Sequence, residues 1–139
     1  MFQSDYFLTS VLLIFNLSFC TQHLYCQSPG EWTWMHGDSA NSTAVYGTKG
    51  VSSPLNKPPG LYEACEWTDK DGNFWLYGGS HSAFFESNLW KYDPAINEWT
   101  WVNGPGAVFN KAPVYGIKGI AADSVNPGAR GFGICSWID

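Results

Sequence analysis

An all-β fold built from repeated antiparallel units is what this sequence predicts, and three observations predict it. The first is an internal repeat. Glu31-Trp32-Thr33-Trp34-Met35 returns as Glu98-Trp99-Thr100-Trp101-Val102. Val45-Tyr46-Gly47, Lys49-Gly50, Pro59-Gly60, Cys65, Trp67 and Asp69 return in the same order as Val114-Tyr115-Gly116, Lys118-Gly119, Pro127-Gly128, Cys135, Trp137 and Asp139, at offsets of 67 to 70. Self-similarity at a long fixed period marks stacked supersecondary units. The second is composition: aromatic residues make up 17% of the 139 residues, charged residues 14%, and there are 15 glycines. That is rich in strand and turn formers and poor in helix formers. The third is a series of short apolar runs separated by Gly, Pro, Asn and Asp.

The elements follow in order. Glu31 to Met35 alternates Trp with polar residues, as a half-buried strand does. Residues 36–60 form a long Gly/Pro/Ser/Asn connection. Tyr62 to Thr68 is a mixed strand-like run, ended by a tight turn at Asp69-Lys70-Asp71-Gly72-Asn73. Phe74 to Tyr77 is an unbroken apolar strand that stops at Gly78-Gly79, where backbones crowd and a positive φ is expected. Residues 80–87 read as a loop, Asn88 to Tyr92 as a strand, and residues 93–97 as a turn. Glu98 to Val102 closes the unit. A second long connection spans 103–129, and Gly131 to Trp137 reads as the first strand of a further unit.

The N-terminus is a separate object. Phe7 to Phe19 is an apolar run of secretory-signal length, too short for a comfortable membrane span. Its leading residues carry Asp5 and no Lys or Arg, and the cleavage position is indistinct, at Cys20 or near Tyr25-Cys26-Gln27. An uncleaved anchor, a misassigned start, or a lipoprotein box spoiled by the bulky Phe19 are the alternatives. The reading assigns residues 1–27 to a signal peptide and 28–139 to the repeat region, and places the mature chain outside the cell with no membrane span. Asn41-Ser42-Thr43 is then a candidate glycosylation acceptor.

Charge and motifs exclude several function classes. Net charge is −5 and the seven basic residues are scattered, so nucleic-acid binding has no electrostatic support. No Cys-x-x-Cys or Cys/His spacing suits zinc. Cys65 and Cys135 sit at equivalent repeat positions and read as small buried apolar residues rather than a disulfide pair. The run from Asp69 to Asn73 places its Gly fourth, where a calcium loop needs it sixth, so a hairpin turn explains it better. His81 lies in a loop with no carboxylate or second His at ligand spacing, and His36 and His23 show no partner. No nucleophile, phosphate or dinucleotide motif is present.

Four short antiparallel strands per unit with aromatic and Gly landmarks is the pattern of a propeller blade. A strand ending in Gly78-Gly79, then Leu89-Trp90-Lys91-Tyr92-Asp93-Pro94, then Trp99, resembles a kelch repeat of the kelch and galactose-oxidase-like propellers. The match is full over about 60–102, with half-units on both sides. The period is nearly 70 residues, longer than the roughly 50 of kelch units. The resemblance implies Gly78, Gly79, Tyr92 and Trp99 as structural landmarks and a kelch-type fragment with one complete four-stranded blade and flanking strands of two neighbours.

Galactose oxidase holds copper through Tyr and His ligands from several blades. No such ligand set aligns here, so no catalytic, cofactor or metal residue carries over and no cofactor is expected. Closed propellers need about four to eight blades, so the count implies a part of a larger protein or assembly with other copies. Three functions fit: a secreted interaction module binding a protein or glycan, a piece of an extracellular oxidase or other carbohydrate-active enzyme, and an adhesion array at a cell surface.

Overall fold

A computed structural model describes residues 30–40 and 43–137. The chain divides into two units, Met1–Thr33 and Trp34–Asp139. The described residues of the first unit, 30–33, contain no strand. The second unit is all-β, with no helix among its described residues.

Among the described residues seven strands appear in chain order: β1 (Ser52–Ser53), β2 (Cys65–Thr68), β3 (Phe74–Tyr77), β4 (Ser80–His81), β5 (Phe84–Phe85), β6 (Leu89–Asp93) and β7 (Glu98–Asn103). Five form one sheet in the order β1-β7-β6-β3-β2, and every pairing is antiparallel. Strands β4 and β5 make a separate hairpin. Thus β2, β3, β6 and β7 form a meander, and β1 reaches back from the first connection to close the β7 edge.

Local chemistry fixes the turns. Between β2 and β3 the Asp69 carboxylate accepts from the backbone N–H of Asp71 at 3.0 Å and of Asn73 at 2.9 Å, while Gly72 adopts φ 84°. An Asp side chain that mimics a turn carbonyl favours this reversal. Between β6 and β7, Asp93 accepts from the Ala95 N–H at 2.9 Å, and the Tyr92 hydroxyl donates to Asn97 Oδ1 at 2.7 Å. Strand β3 stops at Gly78 and Gly79, with φ of 68° and 93°. A Cβ on Gly78 would sit 2.7 Å from the Arg130 carbonyl oxygen, so only glycine fits.

The long connections are folded, and they repeat. Val45 and Lys57 exchange both backbone hydrogen bonds, and so do Val114 and Asn126. Val51 N–H to Thr48 carbonyl recurs as Ile120 to Ile117, and Asn56 to Ser53 recurs as Val125 to Ala122. All four bonds recur at the same offset of 69 residues. The sequence repeat is therefore a structural repeat of two closed loops, spanning 45–57 and 114–126.

Three expectations need correction. Glu31–Met35 and Gly131–Trp137 form no strand: neither segment enters a backbone ladder among the described residues, although Ser136 Oγ donates to the Glu66 carbonyl at 2.7 Å. Residues 80–87 contain the β4–β5 hairpin instead of only a loop. Cys65 is buried as expected, but Cys135 is exposed because its segment makes no strand; both thiols are free. The proposed signal residues 1–27 and the acceptor Asn41 lie outside the described residues. Among the described residues no helix is long and apolar enough to cross a membrane.

Candidate functional site

Alternation along the strands sorts side chains onto two faces. The register sets Thr68, Phe74, Tyr92 and Trp99 in one cross-strand row, and Glu66, Leu76, Trp90 and Trp101 in the next row of the same face. Phe74 stacks on Tyr92 with centroids 6.1 Å apart, and Tyr92 meets Trp99 at 5.1 Å. His36 packs edge-on against Tyr92 at 6.2 Å. Trp90 is 1% exposed and anchors the row, whereas Phe74 remains 48% exposed. On the opposite face Trp67 and Trp75 lie parallel at 5.8 Å.

These aromatics border an open cleft of about 330 Å³, lined by Glu66, Trp67, Phe74, Trp75, Leu76 and Trp99. A neighbouring cleft of about 380 Å³ shares Glu66, Leu76 and Trp99 and adds Pro58, Pro59 and Leu61. Flat apolar surfaces with one carboxylate can stack against sugar rings, prolines or aromatic side chains. They supply no paired acid and base.

The Asp69 turn holds the stacked Trp67–Trp75 pair on the opposite face. The indole N–H of Trp75 donates to Asp69 Oδ2 at 2.8 Å, and the Asn73 amide donates to the same carboxylate at 3.0 Å. These bonds, the Trp75 one foremost, hold the Asp69 carboxyl down to about 2. The turn is thus an anchor for an aromatic side chain. Among the described residues no group of three or more His, Cys, Asp or Glu could hold a metal ion.

A buried polar cluster lies where β6 begins and β7 ends. The Asn88 amide nitrogen donates to the Gly106 carbonyl at 2.8 Å, to the Tyr46 hydroxyl at 3.3 Å and to Glu86 Oε2. Its oxygen accepts from the Gly106 N–H at 2.9 Å and the Trp101 indole at 3.2 Å. One amide thereby ties both connections to β7. Glu86 is buried, and its Oε1 has no partner. Burial pushes the Glu86 carboxyl above the usual carboxylate range, offset in part by the Asn88 bond and by His81. Burial, then the Glu86 charge, pushes the Tyr46 phenol up to about 12.

Of the residues singled out from sequence, Tyr92 and Trp99 meet, and Gly78 and Gly79 mark the end of β3. His81 stacks on Phe109 at 6.3 Å, outside the aromatic rows. His23 lies outside the described residues. Sequence reasoning missed Asn88 and Glu86. Their signal was slight: three polar residues, Glu86-Ser87-Asn88, between aromatic runs in an all-β chain.

No family model, curated protein or solved structure matches the chain.

Proposed function

We propose that this chain is a secreted, kelch-type propeller module that binds a protein or glycan and has no catalytic activity of its own. The observation that carries this reading is the aromatic cleft: Phe74 and Trp99 present flat apolar surface beside Glu66 and Leu76 on one face of the antiparallel sheet. Clefts of this kind recognise ligands by stacking and burial. The kelch assignment is supported by the four-stranded meander in chain order and by the landmark residues Gly78, Gly79, Tyr92 and Trp99 falling at a strand end and in one aromatic row. Further partners are neighbouring blades or other copies of the chain. The recurrence of whole loops at a 69-residue offset also suits a repeat array at a cell surface.

The test is binding of the full chain to arrays of neutral oligosaccharides and of extracellular proteins. A specific ligand should bind wild type and lose at least about tenfold in affinity with Trp99→Ala or Phe74→Ala, as truncated aromatic anchors do. Equal binding by wild type and both variants would contradict the cleft. Copper-dependent peroxide formation from primary alcohols would favour an oxidase instead.

A further inference from the structure

The two repeated loops share a backbone but differ in what they touch. Loop 45–57 lies on the edge of β7. Tyr46 stacks on Trp90 and meets Trp101 edge-on, both at 5.2 Å. The Lys49 ammonium sits 5.9 Å over the Trp101 ring, and the Gly50 N–H donates to the Trp101 carbonyl at 2.8 Å. Ser52 and Ser53 pair with Thr100 and Trp99.

Loop 114–126 keeps these residue types at the tip, as Tyr115, Lys118 and Gly119, with Ala121-Ala122 at the pairing positions. Its base is fixed. Asn126 donates to the Ser87 carbonyl at 3.1 Å, and the Tyr77 hydroxyl donates to the Gly128 carbonyl at 2.6 Å. Its tip is bare: Tyr115 is 79%, Ile117 73% and Ile120 60% exposed. Among the described residues no strand pairs with its tip.

The chain carries that strand's sequence once more. Glu31-Trp32-Thr33-Trp34 repeats the β7 sequence Glu98-Trp99-Thr100-Trp101. It joins no sheet among the described residues, and Trp32 and Trp34 are 94% and 61% exposed. We propose that loop 114–126 of one copy captures segment 31–35 of a second copy, in the register that loop 45–57 uses on β7. Ala121 then pairs with Thr33, Ala122 with Trp32, and the Gly119 N–H donates to the Trp34 carbonyl. Tyr115 and Lys118 cover the Trp34 ring. One bond is missing from the copy: Asn56, which donates to the Trp99 carbonyl at 3.0 Å, is replaced by Val125. The contact is weaker than its intramolecular template and head-to-tail, so it builds chains or rings of copies. It rests on the paired loops and not on the ligand proposed above, so loss of glycan or protein binding leaves it standing.

The experiment is sedimentation equilibrium of the full 15.4 kDa chain over a range of concentrations. Wild-type mass should climb with concentration. Gly119→Pro removes the donor on the loop, where φ is 82°, and Trp34→Ala removes the captured ring. Each alone should stay at monomer mass. Mixed, they should form dimers and nothing larger, because one intact loop and one intact segment remain between them. A peptide of residues 30–36 should dissociate wild-type assemblies, and its Thr33→Pro form should do so at least tenfold less well. That competition also holds if Gly119→Pro fails to fold. A wild type that stays monomeric, assemblies that ignore the peptide, or variants that associate like wild type would each overturn the proposal.

Discussion

Asn88 illustrates how much one buried amide can hold. It bonds Gly106 on both backbone groups, the Trp101 indole, the Tyr46 hydroxyl and Glu86. Removing it leaves several buried groups unpaired, each costing about 1–3 kcal/mol. Asn88→Ala should therefore destabilise the sheet by about 3 kcal/mol or more, measured by urea denaturation. Trp90→Ala removes the most buried ring and should cost about 3–5 kcal/mol. Burial shifts the Glu86 carboxyl upward, opposite to the shift at Asp69. Its raised value means that the protonated form stabilises the fold, and that this contribution fades as pH rises through the folded value. Glu86→Gln keeps an acceptor for Asn88 without the charge. It should raise the melting temperature at neutral pH and flatten its dependence above the carboxylate range. An unchanged pH profile would contradict the burial of this group.

The turns show element-scale control. Asp69 is held down to about 2 from an ordinary 3.8 by Trp75 and Asn73, so its contribution is present above pH 3.8 and is lost as pH falls toward 2. Asp69→Asn should flatten the acid limb of thermal stability over that window. Gly78→Ala forces a Cβ onto the Arg130 carbonyl at φ 68° and should cost about 1–2 kcal/mol from the backbone conformation alone. These turns were legible in the sequence because Asp, Asn and Gly act locally. Strands β3, β6 and β7 were legible within about a residue because their aromatic runs are bounded by such turns. Glu31–Met35 misled for a physical reason: a strand sequence needs a partner edge, and its twin Glu98–Asn103 has β6 on one side and β1 on the other. Strand β1 was invisible because Ser52-Ser53 has no strand signal of its own and pairs only where the loop delivers it. Asn88 and Glu86 gain their meaning from Gly106 and Tyr46, distant in sequence, so no local pattern exposed them.

For the whole molecule, the repeat is the organising fact. Two loops of one design are present, one seated on a strand edge and one with an exposed tip. Tyr46→Ala should lower the melting temperature because Tyr46 packs on Trp90 and Trp101, whereas Tyr115→Ala should leave it unchanged and weaken self-association. Thermal melts and sedimentation of the two variants separate these effects. Equal loss of stability in both would mean that the loops are equally engaged within one chain. The bare aromatic cleft and the bare loop tip are distinct surfaces, so ligand binding and assembly can be removed one at a time.

Amide hydrogen exchange in dilute solution tests this architecture most directly. The β3 and β6 amides and Gly50 should exchange slowly, and Gly119, at the matching position of the second loop, should exchange fast. Fast exchange at Gly50, or slow exchange across residues 31–35 in a monomeric sample, would contradict it.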